Sequence, residues 1–197
     1  MNRADLTSWT GAYVGANLGG GYANVGTTVT GLPGAGAVSE NVVGFVGGGQ
    51  AGANWQTGST VVGVEFDIQG ADQNHKTTNG AFAVTDTITY FGSARGRLGL
   101  GVDRWLPYVT GGWGYGGWSS TAAVAGGASA SISTSHGFWT MGGGLEVSVW
   151  HNLSGRIEYL YADTGTVATN HSTAGGPVTF NSTIHDNILR TGLNYRF

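Results

Sequence analysis

The chain has 197 residues, a formal net charge of -3 and no cysteine, and only 10% of its residues are charged. The lack of cysteine excludes disulfides and cysteine metal sites, and the weak negative charge argues against a nucleic-acid partner. The 38 glycines disfavour helices, and no apolar run approaches the ~18 residues of a membrane helix. With no shift in composition along the chain, a single domain over residues 1–197 is expected.

The sequence alternates between apolar and polar or small residues in eight segments, and a period of two predicts β-strands. In the first segment, Val14 and Leu18 alternate with Tyr13 and Asn17. In the fifth, which is rich in glycine, we assign Val109, Trp113 and Tyr115 to the outer face. The predicted strands are residues 9–22, 42–56, 60–71, 86–102, 107–119, 136–150, 153–162 and 185–197.

The connections between these strands alternate in length. Short turns are predicted near residues 57–59, 103–106 and 151–152, and long loops at 23–41, 72–85, 120–135 and 163–184. Loops longer than ~12 residues are uncommon in compact soluble domains. Short periplasmic turns and long extracellular loops are typical of outer-membrane barrels. An even number of strands places both termini at the periplasmic end.

Charged residues fall on the faces opposite the apolar side chains. In the third strand, for example, Val62, Val64, Phe66 and Ile68 alternate with Glu65 and Asp67. We expect the charges to face the lumen and to form ion pairs, because buried charges need partners. The predicted lumen ion pairs involve Glu65, Asp67, Arg95, Arg97, Glu146, Arg156, Glu158 and Arg190.

Aromatic residues cluster at the two ends of the predicted strands, as in the girdles at the two membrane interfaces of a barrel. The lower group, at the short turns, is Trp9, Trp55, Trp105 and Trp150, and the upper group is Tyr22, Tyr90, Trp118, Trp139 and Tyr161. Scattered core aromatics would not separate by height in this way.

The final strand ends the chain on Leu193, Tyr195 and Phe197, with Arg190 and Arg196 on its other face. An unpaired strand in hydrocarbon leaves backbone groups unsatisfied, so it needs a partner, and the first strand is the natural one. The sequence thus predicts an all-β, eight-stranded antiparallel up-and-down transmembrane β-barrel with four long extracellular loops and three short periplasmic turns. The competing class, a soluble lipocalin-like barrel, would place its apolar face inside.

Four segments together resemble the small porin-like outer-membrane proteins of Gram-negative bacteria, relatives of the OmpA transmembrane domain. They are residues 9–22, 107–112, 156–163 and 192–197. The resemblance implies an outer-membrane location and contact with membrane lipid and lipopolysaccharide. It also implies that Tyr195 and Phe197 form the signal read by the outer-membrane insertion machinery. Members of the family are structural proteins, surface antigens and, occasionally, haem binders. Residues 1–8 carry no signal peptide pattern, so an exported chain would be the mature form with Met1 added.

The histidines offer only weak alternatives. A Ser–His pair needs an oriented third group, and none is evident around His151 and Ser154, or around His136 and the serines at 133 and 135. A metal site formed by His75, His136, His171 and His185 matches no ligand spacing. We therefore expect no catalytic residue, no metal and no cofactor.

Three functions follow from these patterns. The first is a structural barrel with an ion-paired, largely closed lumen, packed against lipid and neighbouring barrels or other envelope proteins. Outward strips of small residues are candidates for such packing: Gly47, Gly49, Ala51 and Ala53 on strand two, and Gly92, Ala94 and Gly96 on strand four. The second is a protein whose loops bind haem, a host molecule or another partner. The third is a lipid-modifying enzyme.

Overall fold

A computed structural model of the chain describes residues 8–30, 37–79, 82–124, 129–173 and 176–197. Each of its eight strands pairs antiparallel with the next, and the last pairs with the first, so the sheet closes into a barrel. This confirms the predicted fold and the predicted partner of the final strand. The strands are β1 (Gly11–Thr30), β2 (Ala37–Thr57), β3 (Thr60–Asn79), β4 (Phe82–Leu100), β5 (Trp105–Val124), β6 (Ser129–Ser148), β7 (Leu153–Thr173) and β8 (Gly176–Arg196).

Short turns connect the strands at the periplasmic end, at residues 58–59, 101–104 and 149–152. Two of them contain a residue in the left-handed region, Gly58 with φ of +61° and Asp103 with φ of +52°. Glycine adopts this conformation freely, and aspartate is one of the few other residues that tolerate it. Residues 105 and 106, predicted as part of a turn, instead begin β5.

The predicted strand ends at the opposite, extracellular side are wrong. Most of the segments 23–41, 72–85, 120–135 and 163–184 continue the strands as paired hairpins, with Gly26 opposite Ser39 as one example. Their small polar composition predicted loops, but an antiparallel partner in register satisfies the backbone of such residues as well as that of apolar ones. Strands of 19 to 21 residues exceed the ~9–11 needed to cross a membrane, so the hairpins project beyond it.

The two faces of the barrel have opposite character. On β3, Val62, Val64, Phe66 and Ile68 are 43–65% exposed, whereas Glu65, Asp67 and Gln69 are at most 8% exposed. The outer face is therefore apolar and the interior polar, which excludes the lipocalin-like alternative. The described residues contain no helix long and apolar enough to cross a membrane.

Candidate functional site

The interior of the barrel is layered. At the periplasmic end, Trp9, Val61 and Leu106 form a buried apolar cluster. Towards the extracellular end, Val46, Leu160 and Ile188 form a second one, with Phe91 packed against it. The ring of Phe91 meets that of the buried Phe138 edge-to-face, with centroids 6.3 Å apart. Between the two apolar clusters lies a charged layer, which we call the ionic layer.

The ionic layer contains the eight predicted lumen charges, all of them buried: Glu65, Asp67, Arg95, Arg97, Glu146, Arg156, Glu158 and Arg190. Alternation along β3, β4, β6, β7 and β8 turns each of these side chains inward. The layer holds four acids and four arginines, so its formal charge is zero. Burial at this depth is tolerated only when each charge is paired.

Six of these residues form one connected cluster. Arg95 contacts Glu65, Asp67 at 2.7 Å and Glu158 at 3.3 Å. Arg190 contacts Glu158 through Nε at 2.7 Å and Asp67 at 2.9 Å. Arg156 pairs with Glu65 on the opposite side of the lumen. Each carboxylate therefore meets at least two guanidinium groups.

The remaining pair, Arg97 and Glu146, has an N–O distance of 2.7 Å. Strand β4, which carries Arg97, adjoins the Glu65 and Asp67 strand β3, but Arg97 forms its ion pair with Glu146 on β6 instead. Inside an eight-stranded barrel a long side chain reaches two strands away as easily as one. Ser154 donates a hydrogen bond to Glu146, and so does Asn194, at 3.0 Å.

Two tyrosines connect the pair to the cluster. The Tyr13 hydroxyl donates to Glu65 at 2.7 Å and accepts from Arg97 at 3.3 Å. The Tyr108 hydroxyl donates to Glu158 at 2.9 Å, while the Arg97 guanidinium lies 3.9 Å from the centre of its ring. The sequence placed Tyr13 in the lumen but gave no sign of the role of Tyr108, because glycines obscure the alternation of β5.

The predicted girdle residues do not all face outward. Trp55, Trp105, Trp150, Tyr22 and Tyr90 are 45–71% exposed, whereas Trp139 and Tyr161 are partly covered by each other, with rings 5.5 Å apart. The side chain of Trp118 is outside the described part of the structure. The assignment of Trp9 is wrong, because its ring is fully buried in the lumen, on the same face as Tyr13.

Tyr195 and Phe197 lie where the sequence predicted, on the outer face beside the periplasmic end. They are 50% and 71% exposed, and their rings meet edge-to-face. The Phe197 N–H donates to the Ala12 carbonyl at 3.0 Å, which extends the β1–β8 seam to the last residue.

The Ser–His alternatives do not assemble. Ser154 points inward to Glu146, whereas His151 is exposed in a periplasmic turn. Neighbouring residues Ser135 and His136 lie on opposite faces of β6. The serine at 133 and the histidines at 75 and 171 have side chains outside the described part of the structure. Within the described part, no group of three or more His, Cys, Asp or Glu residues comes together as a metal site.

The two outward strips of small residues lie on either side of β3. Ala51 on β2 and Ala94 on β4 are both in register with Phe66, which is 61% exposed between them. The strips are therefore two separate channels flanking a ridge of larger side chains, rather than one flat surface.

Comparison with known proteins agrees with this architecture. The chain is 34% identical to the 31 kDa outer-membrane immunogenic protein of Brucella melitensis, an alignment that covers 98% of this chain and 85% of that one. It is 33% identical to the 22 kDa outer membrane protein of Rhizobium leguminosarum, over 79% of this chain and 64% of the relative. The crystal structure of OprG from Pseudomonas aeruginosa shares the fold, with a TM-score of 0.50 and 13% identity, and covers 98% of this chain and 100% of its own.

A family model described as the outer membrane protein beta-barrel domain matches residues 1–197. The match covers the whole chain, and the relatives are outer-membrane proteins of Gram-negative bacteria. The chain therefore belongs to the outer-membrane β-barrel family and is a Gram-negative outer-membrane protein.

Proposed function

We propose that this chain is a structural outer-membrane barrel with a closed lumen. The observation that carries the proposal is the ionic layer, whose side chains join opposite walls of the barrel between two apolar clusters. An eight-stranded barrel has an interior that side chains just fill. A solute crossing it would have to separate buried ion pairs and displace both clusters.

The test is the permeability of the purified protein in defined membranes. In planar bilayers the protein should give no steady conductance steps, and vesicles containing it should not swell in isotonic sugar. A general porin purified in the same way provides the positive control. Steady, ohmic steps of general-porin size, or sugar-driven swelling, would contradict the proposal.

A non-enzymatic role fits the absence of an assembled catalytic group within the described residues. Ser154, which is close to His151 in sequence, donates its hydrogen bond to Glu146 instead. The relatives in Brucella carry the name immunogenic protein, which fits a barrel that is recognised at the cell surface and does not require catalysis.

The second candidate function is binding through the extracellular hairpins. It is favoured by strands that continue well past the length that a membrane requires. An epitope tag inserted between β7 and β8 should be labelled on intact cells, and a tag in the turn at residues 149–152 should not. Labelling of both, or of the turn alone, would contradict the assigned orientation. Host-cell or haem binding that disappears when the hairpins are shortened would support this function over a purely structural one.

We also propose roles in assembly and packing for the outer face of the barrel. The exposed Tyr195 and Phe197 at the β1–β8 seam fit the role of an insertion signal, and the exposed aromatics at both ends fit anchoring at the membrane interfaces. The channels beside β3 fit close packing of lipid or of a second barrel. Cysteines placed at Ala51 or Ala94 should crosslink two copies in native membranes if barrels pack there.

A further inference from the structure

A row of polar and aromatic side chains crosses the outer face of the barrel near its extracellular end. Strand pairing places these residues side by side on five neighbouring strands: Trp139, Asp163, His185, Asn24 and Asn41. They share the outward face with Leu18, Leu189 and Leu193, which are 54–57% exposed. Outward groups in this row meet whatever surrounds the barrel rather than the lumen.

The centre of the row is a preorganised cluster, which we call the rim cluster: Tyr161, Asp163 and His185. The Tyr161 hydroxyl lies 2.9 Å from His185 Nδ1, and Asp163 Oδ2 lies 3.3 Å from the same nitrogen. The rings of Tyr161 and His185 are stacked, with centroids 6.1 Å apart. The His185 side chain is 42% exposed, whereas that of Asp163 is only 15% exposed, so the imidazole is the more accessible group of the two.

The backbone fixes the position of the Asp163 carboxylate. A β-bulge interrupts the β7–β8 register between residues 163 and 166. Within it, Gly165 has φ of +63° and donates its N–H to Asp163 Oδ1 at 2.6 Å. This left-handed conformation favours glycine. Bulges commonly redirect a side chain, and here the carboxylate is held beside His185 instead of moving freely in solvent.

The rim cluster lies at the upper border of the apolar band. Two residues nearer the periplasmic end on the same strands, the Tyr159 hydroxyl donates a hydrogen bond to Asn187 at 2.6 Å. The next outward residues in that direction, Ile157 and Leu189, are apolar and exposed. An outward carboxylate is unfavourable in hydrocarbon, and the cost falls towards the interface. The cluster is therefore positioned at the level of the lipid headgroups of the outer leaflet.

An apolar depression of about 770 Å³ adjoins the rim cluster on the membrane side. Its walls are formed by Leu98, Val109, Met141, Tyr159 and Tyr161, and its floor by Gly96 and Gly111. A Cβ added to Gly111 would meet only the Thr140 carbonyl, at 3.6 Å, so the floor is open backbone with room above it. Tyr161 belongs to both features, with its ring in the depression and its hydroxyl in the cluster.

A polar rim joined to an apolar depression has the shape of a site for one amphiphile. We propose that it binds a single outer-leaflet glycolipid, with a saccharide headgroup at the rim cluster and an acyl chain in the depression. Carboxylate, imidazole, phenol and amide groups beside aromatic rings suit the hydroxyl and amide groups of a sugar. A phosphate alone fits less well, because the Asp163 carboxylate would repel it. The site does not depend on the lumen being closed.

The test is a titration of the detergent-solubilised protein with monophosphoryl lipid A, followed by native mass spectrometry. The wild-type barrel should retain one lipid. Gly111→Leu should lower its occupancy by filling the depression, and Asp163→Asn should weaken binding by about fivefold, as expected for the loss of one hydrogen bond. Gly20→Leu is the matched control, because an added Cβ there also meets only one backbone carbonyl, that of Gly44 at 3.7 Å, on the outer face of β1 and outside the strips of small residues.

Every variant is first checked for the heat-dependent gel shift of a folded barrel, so that loss of folding is separated from loss of binding. Should Asp163→Asn fail to fold, the pair Gly111→Leu and Gly20→Leu still decides the matter. Equal lipid retention by these two would overturn the proposal. Equal competition by phosphatidylglycerol would show a general phospholipid surface and overturn the glycolipid assignment. Efficient crosslinking of two copies through a cysteine at Met141 would assign the depression to a barrel–barrel contact instead.

Discussion

Arg156 on β7 pairs with Glu65 on β3, and these two strands stand on opposite walls of the barrel, with three strands between them in either direction. Barrel closure and filling of the lumen therefore depend on the same side chains. The contact joins residues 91 positions apart in sequence, so it forms only after most of the sheet has assembled. It stabilises the closed barrel rather than any single hairpin.

Replacing Glu65 by Gln should destabilise the barrel strongly. The carboxylate neutralises Arg95 and Arg156 and accepts a hydrogen bond from Tyr13, and the amide would leave buried guanidinium charge uncompensated. Breaking a buried ion pair in this way costs about 3–5 kcal/mol. Urea unfolding in phospholipid vesicles measures the change. Asp103→Asn makes the same chemical change at an exposed turn residue and should leave the midpoint unaltered; equal midpoints for both variants would contradict the role of the ionic layer.

The Arg97–Glu146 pair should behave as a coupled unit. Arg97→Met alone leaves the buried Glu146 carboxylate without its 2.7 Å partner, and Glu146→Gln alone leaves the guanidinium uncompensated. The double variant removes both charges, so it should be less destabilised than the sum of the single changes. Coupling of about 0.5–3 kcal/mol is expected for residues in direct contact. A double-mutant cycle from the same urea titrations measures it, and strict additivity would show that the pair contributes nothing specific.

Adjacent glycines on β2 should respond differently to the same substitution. A Cβ at the inward Gly48 would collide with the Ile68 carbonyl and the Gln69 backbone, whereas at the outward Gly47 its nearest contact is 3.6 Å away. Overpacking a filled interior costs about 1–3 kcal/mol. Gly48→Ala should therefore lower the urea midpoint, and Gly47→Ala should not. The reverse order would mean that the assigned faces of β2 are exchanged.

The sequence predicted the faces of the strands well, because membrane and lumen impose opposite preferences on alternate residues. Glu65, Asp67 and Arg190 were assigned inward from the apolar side chains beside them, and all three are buried. Alternation fixes a face but not a partner. The contact of Arg97 with Glu146 depends on which side chains reach across the lumen, and the periodicity of a single strand carries no information on this.

The extracellular hairpins and the rim cluster were missed for a related reason. Residues such as Thr28 and Ser39 are small and polar, and composition alone does not distinguish a loop from a paired strand outside the membrane. The sequence analysis placed Asp163 at the start of a predicted loop and His185 at the start of the following strand, and only the register of β7 against β8 shows that they are direct neighbours. Such a register depends on the whole hairpin and its bulge.

Trp9 was predicted to face the membrane but is buried with Val61 and Leu106, so Trp9→Ala should behave as a core substitution. The ring also lies 5.0 Å from the Arg196 guanidinium, and the backbone N–H of Trp9 donates to Gln56 Oε1 at 2.7 Å. Removing the indole ring should lower the free energy of unfolding by about 3–5 kcal/mol. Urea unfolding in vesicles measures the change. Trp150→Ala is the control. Because the Trp150 ring is 71% exposed, this variant should lose much less stability. If the two variants unfold at the same urea concentration, Trp9 acts as an interface anchor after all. If only Trp9→Ala is destabilised, the lumen is plugged at its periplasmic end by a residue that precedes the first strand.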